Sequence, residues 1–180
     1  GSEVLATVRE PYFSRTYGSY CGHLNTPYKL ENAHHPAVVK RGKVIVCAHA
    51  LDRIYYDLGA KAHRDLFTNL IKLLHTQPMV EAGLPSAGRV SLLHFPEQRR
   101  YVLHLLYAAP LQRGRCLIIE DMPVLREVPV RLRLPEAARE ITLEPAGFRL
   151  ESKNSTEGGM NVLELTVGEF RCHTAICATH

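Results

Sequence analysis

Gly18-Ser19-Tyr20-Cys21-Gly22-His23 sets a thiol close to an imidazole, the pair of side-chain types from which a cysteine nucleophile and its base are made. The strained elbow that presents such a nucleophile runs Gly-x-nucleophile-x-Gly, between a strand and a helix. Here Cys21 stands three residues after Gly18 and no strong strand precedes it, so no catalytic thiol is expected. Glycoside hydrolysis needs two carboxylates facing one another about 5–10 Å apart. Glu120-Asp121 is the tempting pair, but neighbouring side chains on a strand point to opposite faces. Glu10, Glu31 and Glu127 are isolated and read as solvated acids, so no catalytic residue is expected in this chain.

The ten histidines invite a metal reading that their spacing does not support. His34 and His35 are adjacent, and neither HxxxH nor HExxH occurs. His94 and His104 are expected to face each other across a hairpin as polar handles bonded to backbone. Five cysteines, odd in number and without a CxxC pair, argue against a disulfide framework and fit a reducing compartment. No metal and no cofactor are expected. A sugar-binding sandwich normally offers an aromatic platform. This chain has no Trp, and Tyr101 and Tyr107 share a strand face with Leu103 and Leu105, which reads as core.

These residues must be positioned by a small set of elements. Ala62, Leu66, Leu70, Leu73 and Leu74 recur at helical spacing, with Phe67 and Ile71 widening the stripe. One main helix is therefore predicted over residues 51–75, burying one broad face, with Asp52 as a cap, a break at Gly59 and a stop at Pro78. Before it, residues 4–9 predict a strand, and residues 11–36 a long loop carrying Tyr12, Phe13, Tyr17, Tyr20, Cys21, His23, Asn25 and Tyr28. So many aromatics argue against disorder. Residues 37–48 predict a hairpin turning at Gly42. Its second arm, Val44-Ile45-Val46-Cys47-Ala48, is apolar at every position, so both faces ask for cover. The helix can supply one. Nothing else before residue 86 can supply the other, which implies an additional layer from elsewhere in a longer protein or from another subunit.

After Gly88 the hydrophobic period becomes two. Strands are predicted at 89–95, 100–107, 116–121, 128–134, 140–143, 147–151, 161–167 and 171–177, with Val128, Val130, Leu132 and Leu134 inward and Arg131 and Arg133 outward. Asn154-Ser155-Thr156 matches a glycosylation sequon but is expected to be turn chemistry. The fold class is thus α+β: a partial α/β layer over residues 1–86, followed by an antiparallel β-sandwich over 87–180.

The net charge of +4 comes from basic residues at turns or alternating along strands, not gathered on one face with stacking aromatics. No nucleic-acid partner is expected. No apolar run is long enough to span a bilayer and no targeting signal is visible, so no membrane partner and a cytoplasmic location are expected.

Several strings are familiar in their order. YCGHLNTP (residues 20–27), residues 49–56 leading into HRDLFTNL (63–70), and GLPSAGRV (83–90) form one group. RRYVLHLLY (99–107) and VPVRLRLP (128–135) form the other. In this order they resemble the end of the β-galactosidase trimerisation domain and the β-sandwich after it, as found in large multidomain glycoside hydrolases, especially the branch that includes α-L-fucosidases. The resemblance covers nearly the whole chain and rests on order and spacing more than on any single motif.

What the resemblance implies is an upstream catalytic barrel carrying the acid and the nucleophile. An amidotransferase-like layer domain that mediates oligomer contacts would follow, and then a small sandwich. It also implies that the barrel and the first strands of the layer domain precede this sequence. Tyr20, His23, Asn25 and Thr26 match a loop of that family that can lie near a barrel mouth, its own or a neighbour's, where His and Asn could hydrogen-bond a sugar hydroxyl. The expected role is a non-catalytic part of a glycoside hydrolase serving oligomerisation and active-site-entrance shaping. Its partners would be the upstream barrel, further copies of itself and a carbohydrate. The alternatives are a stand-alone carbohydrate-binding or protein-interaction module and, third, an amidotransferase-like thiol enzyme.

Overall fold

The computed structural model describes residues 1–23, 25–31 and 33–180; Leu24 and Asn32, both within the aromatic loop, lie outside the described residues. The chain divides into two units, Gly1–Thr76 and Gln77–His180. Among the described residues, every strand pairing is antiparallel and there are two α-helices. Neither helix is long and apolar enough to cross a membrane.

The first unit begins with β1 (Glu3–Thr7), β2 (Pro36–Arg41) and β3 (Val44–Cys47), a three-stranded sheet with β2 in the middle. Val39 lies opposite both Val4 and Val46, and Gly42 supplies the positive φ of 58° at the hairpin turn. Helices α1 (Leu51–Leu58) and α2 (Lys61–Leu74) follow. The single helix expected over 51–75 is therefore two. Gly59 adopts the left-handed conformation, and its N–H bonds back to the Tyr55 carbonyl at 2.8 Å, closing α1 before α2 can begin. Asp52 is not the cap. Ala50 holds that position without a side-chain bond, and Asp52 instead brings its charge to the first turn, where the helix dipole favours it.

The stripe on α2 is not buried as a broad face, for α2 contains no fully buried residue and Ile71 remains 47% exposed. Ile45 and Cys47 of β3, Leu51 of α1 and Phe67, Ile71 and Leu74 of α2 line a groove of about 560 Å³. The alternate residues of β3, Val44 and Val46, are 61% and 57% exposed. One face of the apolar strand has the helices; the other has no cover among the described residues of this unit.

The second unit runs from β4 (Val80–Ala82) through β5 (Arg89–Phe95), β6 (Arg100–Tyr107), β7 (Leu111–Arg113), β8 (Cys116–Ile118), β9 (Val124–Leu134), β10 (Glu140–Glu144), β11 (Phe148–Arg149) and β12 (Lys153–Glu157) to β13 (Met160–Thr179). Residues 77–86 group with this unit, because β4 pairs with β9 through Val80–Leu132 and Ala82–Val130. It is a curled β-sandwich built on β13. Residues 161–167 and 171–177, expected as two strands, are parts of one strand of 20 residues. Its first half pairs with β9 and β12, its second with β6 and β10, and the partner changes at Cys172, whose φ is 57°. A strand that passes from one sheet to the other at an irregular residue is how orthogonal corners are made.

The period-two pattern is realised directly. Val128, Val130, Leu132 and Leu134 of β9 meet Leu163, Leu165 and Val167 of β13, with Leu103 and Leu105 of β6 and Ile176 of β13 completing the core. Each such side chain contributes about 1.5–3 kcal/mol over an exposed position. Outward from that core, Arg133 donates from Nη1 to the Pro78 carbonyl at 2.8 Å and to Glu81 at 2.7 Å. Arg131 pairs with Glu81, Glu157 and Glu164, so the charges of β9 are neutralised across three neighbouring strands. Asn154, Ser155 and Thr156 are strand residues of β12, opposite Leu163, Val162 and Asn161, rather than a turn. The turn falls at Gly158-Gly159, both at positive φ, which relieves the sequon of that task.

Candidate functional site

The loop between β1 and β2 is held by its own backbone. Ala33 N–H donates to Val8 O at 2.8 Å, Lys29 N–H to Glu10 O at 2.9 Å and Tyr12 N–H to Pro27 O at 2.7 Å. The outgoing and returning segments are thus tied together, leaving a tip between Tyr12 and Pro27. Glu10 reinforces the base by pairing with Lys29 at 3.3 Å and His35 at 3.6 Å, while the Arg9 guanidinium lies 5.7 Å from the Tyr28 ring centre. Within the tip, Thr16 and Ser19 exchange backbone bonds of 2.8 and 3.2 Å, closing a tight turn.

Cys21 fastens the rest of the tip. Its Sγ lies 3.6 Å from the His23 carbonyl and 3.7 Å from that of Asn25, and one thiol proton can serve one of them at a time. The Arg15 guanidinium approaches the same sulfur at 3.8 Å. With Cys21 half-buried, Tyr20, His23 and Asn25 are exposed and Thr26 is half-buried. The tip therefore offers an aromatic ring, an imidazole, a carboxamide and a hydroxyl within one short span, donors and acceptors of the sort that recognise a polyol. Sequence reading named those four residues by type and did not see the part played by Cys21, which its distances to the two carbonyls reveal.

Elsewhere the titratable groups fall out differently from their expected partners. Glu120 and Asp121 lie just beyond β8, so strand alternation does not separate them; Glu120 instead accepts from Arg113 Nη2 at 2.6 Å. His94 and His104 do not face each other across the β5–β6 hairpin. The register sets His94 opposite Tyr101 and His104 opposite Ser91, which sends the two imidazoles to opposite faces. His104 meets His173 on the outer face, Nδ1 to Nε2 at 3.0 Å, and His94 meets His180 at the core-side rim. Tyr101, deep in the core, donates its hydroxyl to Glu136 Oε2 at 2.6 Å. Burial, and then that carboxylate, push the Tyr101 hydroxyl up to about 12, and the same bond holds the Glu136 carboxyl below its ordinary range.

No family model matches the sequence, and no curated protein matches it. Among solved structures, the chain superposes on the α-L-fucosidase isoenzyme 2 from Paenibacillus thiaminolyticus with a TM-score of 0.90 and 28% identity over 99% of its length. It spans 27% of that longer chain, so what stands here is similar to one part of a fucosidase, about a quarter of it.

Proposed function

We propose that this chain is a non-catalytic portion of a multidomain glycoside hydrolase of the α-L-fucosidase type, serving oligomerisation and the shaping of an active-site entrance. The observation that carries the reading is the near-complete superposition on about a quarter of a fucosidase. In this reading the first unit is the remainder of an amidotransferase-like layer related to the β-galactosidase trimerisation domain. The uncovered side of β3, with Val44 and Val46, supports a further layer or subunit against it. A catalytic barrel encoded upstream supplies the acid and the nucleophile, and the assembled protein works in the cytoplasm. The tip bearing Tyr20, His23, Asn25 and Thr26 lies at a barrel mouth and hydrogen-bonds sugar hydroxyls there.

Two measurements test this. The coding sequence upstream of Gly1 is expected to hold a barrel-length stretch, and the full-length parent is expected to hydrolyse a p-nitrophenyl α-L-fucoside while the 180-residue chain alone does not. Turnover by the isolated chain, or a start codon immediately before Gly1, overturns the reading. In the parent, His23→Ala and Asn25→Ala are expected to raise KM about tenfold for the fucoside with folding intact. An unchanged KM in both removes the tip from the entrance.

A further inference from the structure

Strands β13, β6 and β5 lie side by side in that order, and their register gathers three rings at one end of the sheet. His94 of β5 is opposite Tyr101 of β6, and Tyr101 is opposite Ala178 of β13, which puts His180 on the same face one step further along. His180 is fixed there by its N–H, which donates to the Arg99 carbonyl at 2.8 Å. The His94 ring stacks flat on Tyr101, centroids 4.1 Å apart at 8°, and this sets the direction in which its Nε2 points. That nitrogen lies 3.3 Å from Nε2 of His180. Glu136 arrives from beyond the end of β9, and its carboxylate is oriented by the Tyr101 hydroxyl. One ligating atom each from His94, Glu136 and His180 lies within 4.8 Å of the other two.

We propose that His94, His180 and Glu136 bind a divalent transition-metal ion, zinc in type, with solvent completing a four-coordinate shell. This goes beyond the fucosidase reading and does not rest on it. The separation of the imidazoles fits a shared ion better than a direct bond. At 3.3 Å it is longer than the usual direct hydrogen bond of about 2.9–3.0 Å. Two nitrogens each about 2.0–2.1 Å from one tetrahedral zinc, however, lie about 3.3–3.4 Å apart. The donor set fits such an ion as well. Two imidazoles and one carboxylate, with no thiolate, suit zinc, cobalt, nickel or copper, whereas calcium and magnesium prefer an all-oxygen shell.

The ligands are also supported from behind. Tyr101 meets all three, stacking on His94, lying tilted against His180 with centroids 5.5 Å apart and hydrogen-bonding Glu136, which is the outer-shell orientation that metal ligands usually receive. His94 is exposed and His180 half-buried, so the ion enters from solvent without disturbing the core. Once bound, it joins β5 and β13 across the intervening strand and ties both to the segment that leaves β9. The ion is thus a clip on the open rim of the sandwich. The sequence hides it because the three ligands come from three distant segments and make no motif.

Titration of the metal-free 180-residue chain with Zn²⁺, followed by calorimetry and by the visible absorption of a Co²⁺-loaded sample, tests the site. One equivalent is expected to bind, with a tetrahedral cobalt spectrum and a rise in Tm that a chelator reverses. His94→Ala and His180→Ala are each expected to weaken binding about a hundredfold or more, and Tyr101→Phe, which keeps the ring, by about tenfold. His104→Ala, at the other histidine pair, is expected to leave the titration unchanged. Circular dichroism of each variant establishes that the sandwich is folded. Absence of saturable Zn²⁺ binding in the unsubstituted 180-residue chain, or binding that His94→Ala and His180→Ala leave intact, overturns the proposal.

Discussion

Arg133 Nη1 donates to Glu81 Oε1 at 2.7 Å from a guanidinium that is only 9% exposed, so a nearly buried cation depends on a half-exposed acid. That bond, ahead of the neighbouring charges, holds the Glu81 carboxyl below its ordinary value of 4.5. Arg131 and Arg133 of β9 face it with Glu157 of β12 and Glu164 of β13. A carboxyl with a depressed folded pKa contributes stability that is full above its unfolded value and is lost as pH falls through the folded one. Resistance of the sandwich to urea is therefore expected to fall below about pH 4.5. Glu81→Gln is expected to cost about 1 kcal/mol at neutral pH and to flatten that acid limb. Parallel pH profiles for the two proteins would remove Glu81 from the account.

Leu103→Ala empties a fully buried site in the core and is expected to destabilise the second unit by about 2–5 kcal/mol. Leu93→Ala, on the neighbouring strand but 43% exposed, is expected to cost under about 1 kcal/mol. Denaturant midpoints compare the two directly, and equal losses would contradict the inward–outward assignment of β5 and β6.

Two glycines are expected to respond in opposite directions. A methyl at Gly88 would lie 2.5 Å from Leu84 Cβ and 2.9 Å from the Pro85 carbonyl, so Gly88→Ala must displace backbone and is expected to cost about 1–3 kcal/mol. At Gly168, in the interior of β13, nothing lies within 4 Å and φ is not positive. There Gly168→Ala is expected to stabilise by about 0.4–1 kcal/mol, chiefly by restricting the unfolded chain. Thermal melts of both variants measure this. A stabilising Gly88→Ala would mean that the turn before β5 is looser than the distances state.

The open side of β3 is expected to make the isolated chain self-associate at high concentration. Val46→Lys sets a charge in the middle of that side, at a residue 57% exposed, and is expected to shift the sedimentation profile toward monomer with the circular dichroism spectrum unchanged. An unsubstituted isolated chain that sediments as monomer at every concentration would count against any docking through β3.

Cys21→Ala removes the sulfur that lies against the carbonyls of His23 and Asn25. Hydrogen exchange of the amides in the loop tip is expected to quicken several-fold, with the β1–β2–β3 sheet unaffected. Unchanged exchange would show that the backbone bonds of Tyr12 to Pro27 and between Thr16 and Ser19 organise the tip without the thiol.

The parts legible in the sequence were those governed by period. Val128, Val130, Leu132 and Leu134 alternate as a half-buried strand must, and they form the core. The β2–β3 hairpin was legible for the same reason, together with Gly42. What the sequence hid was decided by pairing between distant segments. Nothing local to residues 160–179 says that β9 and β6 will share one strand, because Gly168 reads as a break when no partner is known. Hairpin register moved His94 away from His104, since a single-residue slip exchanges faces. The α2 stripe was correctly periodic, but periodicity states which residues seek cover and not whether one chain provides it. In the β1–β2 loop, the type of Cys21 says nothing of its hold on the His23 and Asn25 carbonyls, which follows from how the chain turns back on itself.

Strand β13 follows β6, β9, β10 and β12 in the sequence, yet it is the neighbour that all four share. A ribosome therefore delivers every one of those partners before the strand that unites them. Until it emerges, the nascent sandwich has ready edges and no keystone, an interval in which mispairing with another nascent chain is the main hazard.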